Sequence, residues 1–176
     1  MPRKNILALL EGGDRRSIGR SDEVAGIVRR NPRLFPKLME GMWSENPVVR
    51  MRAGDAAEEV TRKNPELLLP YEKEVLGLMS EAEEPELRWH LAVMVPRLPL
   101  NAKGRRLVIS VLTGYLNDRS SLVKTFALQG LANLAQEDPN IRARVIDILR
   151  DATRTGTPAM RARSRKLLGR LERSGN

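Results

Sequence analysis

The sequence predicts an all-α protein, a right-handed α-α superhelix of about four to five helical hairpins, from three observations. Leu, Ala, Arg and Glu lead the composition, all good helix formers, and no Val/Ile/Thr-rich run bounded by turn residues suggests a strand. A five-residue segment opening with an apolar residue and a base recurs four times at nearly constant spacing. Each copy is followed by an apolar stripe with the period of a helix.

The recurring segments are Val49-Arg50-Met51-Arg52-Ala53, Leu87-Arg88-Trp89-His90-Leu91, Val123-Lys124-Thr125-Phe126-Ala127 and Met160-Arg161-Ala162-Arg163-Ser164, offset by 38, 36 and 37 residues. Pro47, Pro85 and Pro158 precede three of them, where a fixed φ and a missing N–H suit the first helical turn. Ser120-Ser121 offers a capping hydroxyl before the remaining copy. First helices are therefore expected to begin near residues 48, 86, 122 and 159. Their buried faces read Val49, Ala53, Ala56, Ala57, Val60, then Leu87, Leu91, Met94, Val95, Leu98, then Val123, Ala127, Gly130, Leu131, Leu134, and last Met160, Ser164, Leu167, Leu168, Leu171. The small residues in these stripes admit a neighbouring helix at close range.

A second helix follows each first one, over Leu34 to Trp43, Leu67 to Met79, Arg105 to Leu116 and Ile141 to Ala152. Trp43, in phase with Met39 and Met42, is expected in the core. An additional first helix, about Ile18 to Arg30, rests on the echo of Arg29-Arg30-Asn31-Pro32 in Arg62-Lys63-Asn64-Pro65. Its front half, with Arg16 and Arg20 at apolar positions, suits a capping repeat that turns one face to water.

The Pro-x-apolar-Arg openings, the small-residue interiors and the Asn-Pro turns resemble HEAT repeats over residues 14 to 172. The resemblance implies a HEAT-like or ARM-like solenoid in a single domain, 1–176, with repeats at about 14–46, 47–84, 85–120 and 121–157 and a C-terminal capping helix at 158–173. The units are shorter than the usual HEAT length of about 40 to 47 residues. Residues 64 to 98 are also similar to small, mostly uncharacterised bacterial HEAT-repeat proteins, which bring no established activity.

Composition narrows the chemistry. The 176 residues contain no cysteine, which excludes disulfides, thiolate metal sites and cysteine nucleophiles. Met1-Pro2-Arg3-Lys4 leads into an apolar run, Ile6 to Leu10, that Glu11 and Gly12 end too soon for a signal-peptide core. With no run of membrane-spanning length, the expected location is cytoplasmic. His90 is the only histidine. HEAT-like deoxyhypusine hydroxylases hold iron with several His-Glu pairs, and one histidine cannot supply such a site. HEAT-like alkylpurine DNA glycosylases need an aromatic platform and a carboxylate, for which Trp89, Trp43 and Asp118 are the parts present, without a local motif of that family. His90 is expected at the surface or in a groove. No catalytic residue, cofactor or metal ligand is assigned, and no enzymatic activity is expected.

Charge is unevenly placed. The chain carries a net +9, yet residues 1–88 hold 15 Lys/Arg against 16 Asp/Glu while residues 89–176 hold 16 against 6. Candidate partner-binding residues come from two ladders of repeat-equivalent positions. Arg50, Arg88, Lys124 and Arg161 form the first, and Arg52, His90, Phe126 and Arg163 the second. The first ladder is the better fit to stacking, bonding turn carbonyls or acids of a neighbouring repeat. Trp89, beside Arg88 and His90, is either an exposed anchor of the kind enriched in binding hot spots or a packing residue. The expected site is thus Arg88, Trp89, His90, Lys124, Phe126, Arg161 and Arg163. The expected function is a monomeric protein-binding scaffold of unknown partner. The alternative is nucleic-acid binding through the basic C-terminal half, whose last helix carries Arg161, Arg163, Arg165, Lys166, Arg170 and Arg173 against Glu172 alone.

Overall fold

Proline and short polar side chains start the helices where the repeat places them. In the computed structural model, which describes residues 5–14 and 16–174, the helices are α1 (Ser21–Arg30), α2 (Phe35–Gly41), α3 (Pro47–Thr61), α4 (Glu72–Glu81), α5 (Pro85–Met94), α6 (Ala102–Tyr115), α7 (Ser121–Glu137), α8 (Pro139–Thr155) and α9 (Pro158–Arg173). The all-α fold class is as the sequence predicts, with no strand among the described residues. Met1 to Lys4, part of the argument about a leader segment, lie outside them. Among the described residues no helix is long and apolar enough to cross a membrane.

Side-chain caps fix the starts. Asn46, Asn101, Ser120, Asp138 and Thr157 each accept a hydrogen bond from the first-turn backbone N–H of Val48, Gly104, Val123, Asn140 and Met160, at 2.9, 2.8, 3.3, 3.0 and 3.4 Å. A cap of this kind stabilises a helix by about 1 kcal/mol. The cap at Asn101 starts α6 three residues before the expected Arg105.

Two departures trace to proline and to a tightened turn. The expected helix over Leu67 to Met79 is a 3₁₀ segment, Pro65–Tyr71, followed by α4. Pro70 lies inside it and cannot donate the i→i−4 bond of an α-helix. Trp43 is not core but 44% exposed. α2 ends at Gly41, and Met42, Trp43 and Ser44 donate to Met39, Glu40 and Gly41 in i→i+3 bonds. Three residues per turn in place of 3.6 swing Trp43 off the stripe that Met39 begins.

Helix contacts cluster into two compact units, residues 1–72 and 73–176. In the first, α1 and α2 pack on α3, burying Val24, Val28, Phe35, Leu38, Met39, Ala53, Ala56, Ala57 and Val60. α2 and α3 approach closely at Gly41, where a Cβ would stand 2.8 Å from that of Ala53. The helix expected over Ile18 to Arg30 begins only at Ser21, and Ile18 is 47% exposed.

Arg52 on α3 organises the segment before α1. Its side chain is 2% exposed, and it donates to the carbonyl oxygens of Leu10 (2.9 Å), Gly12 (2.6 Å), Asp14 (3.0 Å) and Ser17 (3.1 Å), with Glu11 at 3.5 Å. Backbone dipoles take the place of water around this buried charge, which would otherwise be too costly to desolvate. The loop bends around the guanidinium through Gly12, Gly13 and Gly19, all at positive φ. A Cβ on Gly19 would lie 2.6 Å from the Arg52 Cζ.

In the second unit the first helices stack, α5 on α7 and α7 on α9, while α6 packs on α7 and α8 packs on both α7 and α9. The apolar stripes are buried throughout except at Met160 and Leu168 in the last copy. Gly130 sets the α5–α7 distance: a Cβ there would fall 2.2 Å from the Ala92 carbonyl oxygen. Small residues thus admit a neighbour, as the stripe predicts.

Candidate functional site

The four bases of the first ladder divide between stacking and surface. Arg50 donates to the Ser44 and Glu45 carbonyls at 2.6 and 3.1 Å, closing the turn before its own helix. Arg88 does the same and more: it donates to the Ala82 carbonyl at 2.7 Å and to Asp118 Oδ2 at 2.5 Å, and lies 5.4 Å from the Tyr115 ring centroid. Tyr115 in turn donates to the Met79 carbonyl at 2.6 Å. Asp118 also accepts the Ser120 backbone N–H at 2.7 Å. One arginine therefore ties α5 to the turn between α6 and α7.

Electrostatics follow from this cluster. Burial pushes the Asp118 carboxyl up, but the Ser120 N–H, Arg88 and the more distant Lys124 outweigh it and hold the group below the usual carboxylate range. Burial pushes the Tyr115 hydroxyl up to about 12, against the pull of Arg88. Neither group exchanges its proton near neutrality, so the cluster acts as a fixed clamp.

The second ladder is also drawn inward. Arg52 is the buried residue described above. His90, expected at the surface or in a groove, is 8% exposed and so does not lie on the open surface; it shares α5 with Leu87 and Leu91 where that helix packs on α7. Trp89 is half-buried and its Nε1–H donates to His90 Nε2 at 2.8 Å, with the rings edge-on at 5.6 Å. Accepting at Nε2 places the imidazole proton on Nδ1 in the neutral ring. Phe126 lies under Arg163, 5.7 Å from guanidinium carbon to ring centroid. Arg163 also donates to Gln129 Oε1 at 2.8 Å, Gln129 to Asn133 Oδ1 at 2.9 Å, and Arg170 to the same Asn133 oxygen at 2.8 Å. The bases on this face of α9 are thus held by neutral amides of α7. Burial lowers the Arg170 guanidinium from its ordinary value.

Lys124 stands apart from its ladder equivalents. It borders an open recess of about 250 Å³ between the end of α6, α7, α8 and the start of α9. Leu128, Ile148, Ala152 and Met160 supply apolar walls, and Lys124 and Asp151 bring opposite charges to the recess. Arg161 is exposed.

The structure therefore joins Arg88, Trp89 and His90 as neighbours on α5 and pairs Phe126 with Arg163, while Lys124 belongs to the recess and Arg161 to the outer face of α9. It adds Tyr115, Asp118, Gln129, Asn133 and Arg170, which the candidate site lacked. Gln129 and Asn133 were findable as an i,i+4 amide pair continuing the Phe126 row. Two exposed bases of α8 pair with acids: Arg150 with Asp147 and with Glu172 of α9 at 3.7 and 3.5 Å, and Arg154 with Asp151 at 3.3 Å. Among the described residues no group of three or more His, Asp or Glu is placed to hold a metal ion.

No protein-family model matches the chain, nor does the sequence of any curated protein. Among solved structures the chain is similar to the crystal structure of an engineered protein, at 14% identity and a TM-score of 0.62, over 96% of this chain and 78% of that one. Likeness at that level of identity shows the fold alone.

Proposed function

We propose that the chain is a non-enzymatic HEAT-like scaffold that holds a protein partner through its second unit. The HEAT-like assignment is supported by the repeat of Pro-x-apolar-base helix starts and by Arg50 and Arg88, which bond turn carbonyls and, for Arg88, the acid of the following turn. The same reading takes the chain as a cytoplasmic monomer.

The observation that carries the partner is the recess beside Lys124. Its volume of about 250 Å³ falls below the range of small-molecule pockets, about 300–1,000 Å³, and suits a single apolar side chain. Leu128, Ile148, Ala152 and Met160 would bury that side chain. Lys124 and Asp151 would hydrogen-bond the carbonyl and N–H of the segment bearing it, and their opposite signs set its direction. Selection of displayed random peptides on the whole chain tests this. Enriched peptides carry a large aliphatic or aromatic residue, and Thr155→Trp, at the edge of the recess, weakens them by about tenfold or more. Lys63→Glu, in the first unit, leaves them unchanged. Enrichment that is indifferent to Thr155→Trp, or no enrichment, refutes the proposal.

A further inference from the structure

We infer that the outward face of α9 is a sequence-independent binding surface for duplex DNA, a site separate from the recess and independent of it. Pro158, Ala159, Arg161, Ala162, Arg165, Lys166, Glu172 and Arg173 are exposed, while Ser164, Leu167 and Leu171 are buried. At 100° per residue the exposed set fills about 160° of the helix circumference, and Arg161 to Arg173 spans about 18 Å along its axis.

The bases are ordered on that face. Arg161 and Arg165 lie along one flank, Lys166 and Arg173 along the other, and Ala162 and Gly169 form the strip between them. Arg163 and Arg170 stand behind the second flank, anchored to Gln129 and Asn133. Neutral amide oxygens position these two guanidiniums without cancelling their charge. The one acid of the helix, Glu172, falls on the Arg161 and Arg165 flank, where Arg150 of α8 pairs with it at 3.5 Å and offsets its charge.

This arrangement selects among polyanions. An α-helix with its side chains is about 10–12 Å across, and the major groove of B-DNA is about 12 Å wide. A helix seated there would bring its two basic flanks to the phosphates of opposite groove walls. The strip of Ala162 and Gly169 facing the base edges has no hydrogen-bonding side chain, so no sequence is read. Duplex RNA is disfavoured, because its A-form major groove is too narrow for side chains to enter. Single strands lack a stacking platform, since α9 contains no aromatic residue. A lipid surface would need an apolar face toward the acyl chains, and α9 commits Leu167 and Leu171 to the protein core.

Fluorescence anisotropy of the full chain with short duplex DNA, and with duplex RNA of matching sequence, tests the proposal. Four phosphate contacts give a slope of log K against log salt of about −3.6. Removing three of them in Arg161→Gln/Arg165→Gln/Arg173→Gln brings the slope to about −0.9. Removing three exposed charges elsewhere, Arg30→Gln/Arg33→Gln/Lys63→Gln, leaves it near the wild-type value. Ala162→Glu, which sets a carboxylate in the centre of the face, weakens binding without altering the flanks and serves if the triple variant does not fold. Absence of binding at low salt overturns the inference. So do equal losses in the two triple variants, duplex RNA bound as tightly as DNA, or displacement of DNA by anionic vesicles or polyglutamate at equal charge.

Discussion

Replacing Arg52 with leucine removes a buried guanidinium whose acceptors are backbone carbonyls of residues 10 to 17. The bond to the Leu10 carbonyl is fully buried, and leaving that oxygen unpaired costs about 1–3 kcal/mol. The contacts to Gly12, Asp14 and Ser17 are partly buried. Water recovers some of their worth, so each contributes toward the lower end of the roughly 1.5–3 kcal/mol range for charged hydrogen bonds, and not additively. Together these give a loss of about 3–4 kcal/mol, which for a chain of this length lowers the melting temperature by about 10 °C. Arg52→Lys keeps the charge but not the planar fork, so it recovers only part of the loss. Thermal unfolding by circular dichroism measures the effect, and limited proteolysis between residues 5 and 20 reports release of the segment. Gly19→Ala, whose Cβ would press on the guanidinium at a positive φ, reproduces the proteolytic pattern. An Arg52→Leu protein that melts within about 2 °C of wild type, with unchanged cleavage, refutes the account of the buried charge.

Two further outcomes rest on single side chains of the second unit. The folded-state pKa of Asp118 lies below its unfolded value. Its stabilisation is therefore complete above the ordinary carboxylate pKa of about 4 and is lost as pH falls through the lower folded value. Asp118→Asn flattens that acid limb, seen as a urea midpoint that varies less with pH below about 4; an unchanged limb argues against the Arg88 clamp. Ser164 is wholly buried and its hydroxyl has no hydrogen-bond partner among the described residues. Ser164→Ala removes that orphan and improves helix propensity, raising stability by about 1 kcal/mol in chemical denaturation. A loss on this substitution means that the hydroxyl is satisfied in solution.

The parts of this fold that are legible in sequence are those in which side-chain spacing mirrors backbone geometry. Val49, Leu87 and Val123 repeat because each opens the buried stripe of a helix that packs on another first helix of its own unit, and the cap at Ser120 is read directly from residue type. Legibility fails where backbone groups decide. Pro70 breaks the regular helix expected from Leu67 because it lacks a donor, a signal present in the sequence but outweighed by the apolar period around it. Trp43 leaves the core through a one-turn change from α to 3₁₀ spacing that its neighbours do not announce. Arg52 and Arg163 occupy equivalent positions, yet one is buried among carbonyls and the other holds a neutral amide. Position in the repeat identifies which residues meet a neighbour, and the neighbour determines what they do.

The ring of carbonyls around Arg52 has a bearing on which changes the N-terminal segment can accept. A carbonyl oxygen is the same on every residue, so Glu11 and Arg16 can be exchanged for other side chains without disturbing the guanidinium, whereas Asp14 also accepts the Arg16 backbone N–H at 2.9 Å and helps to shape the loop. A deletion or insertion of one residue between Leu10 and Ser17 would carry the oxygens out of its reach. The segment is thus constrained in length and in its glycines far more than in composition, and comparison of variants that differ in spacing will reveal its role where comparison of side chains does not.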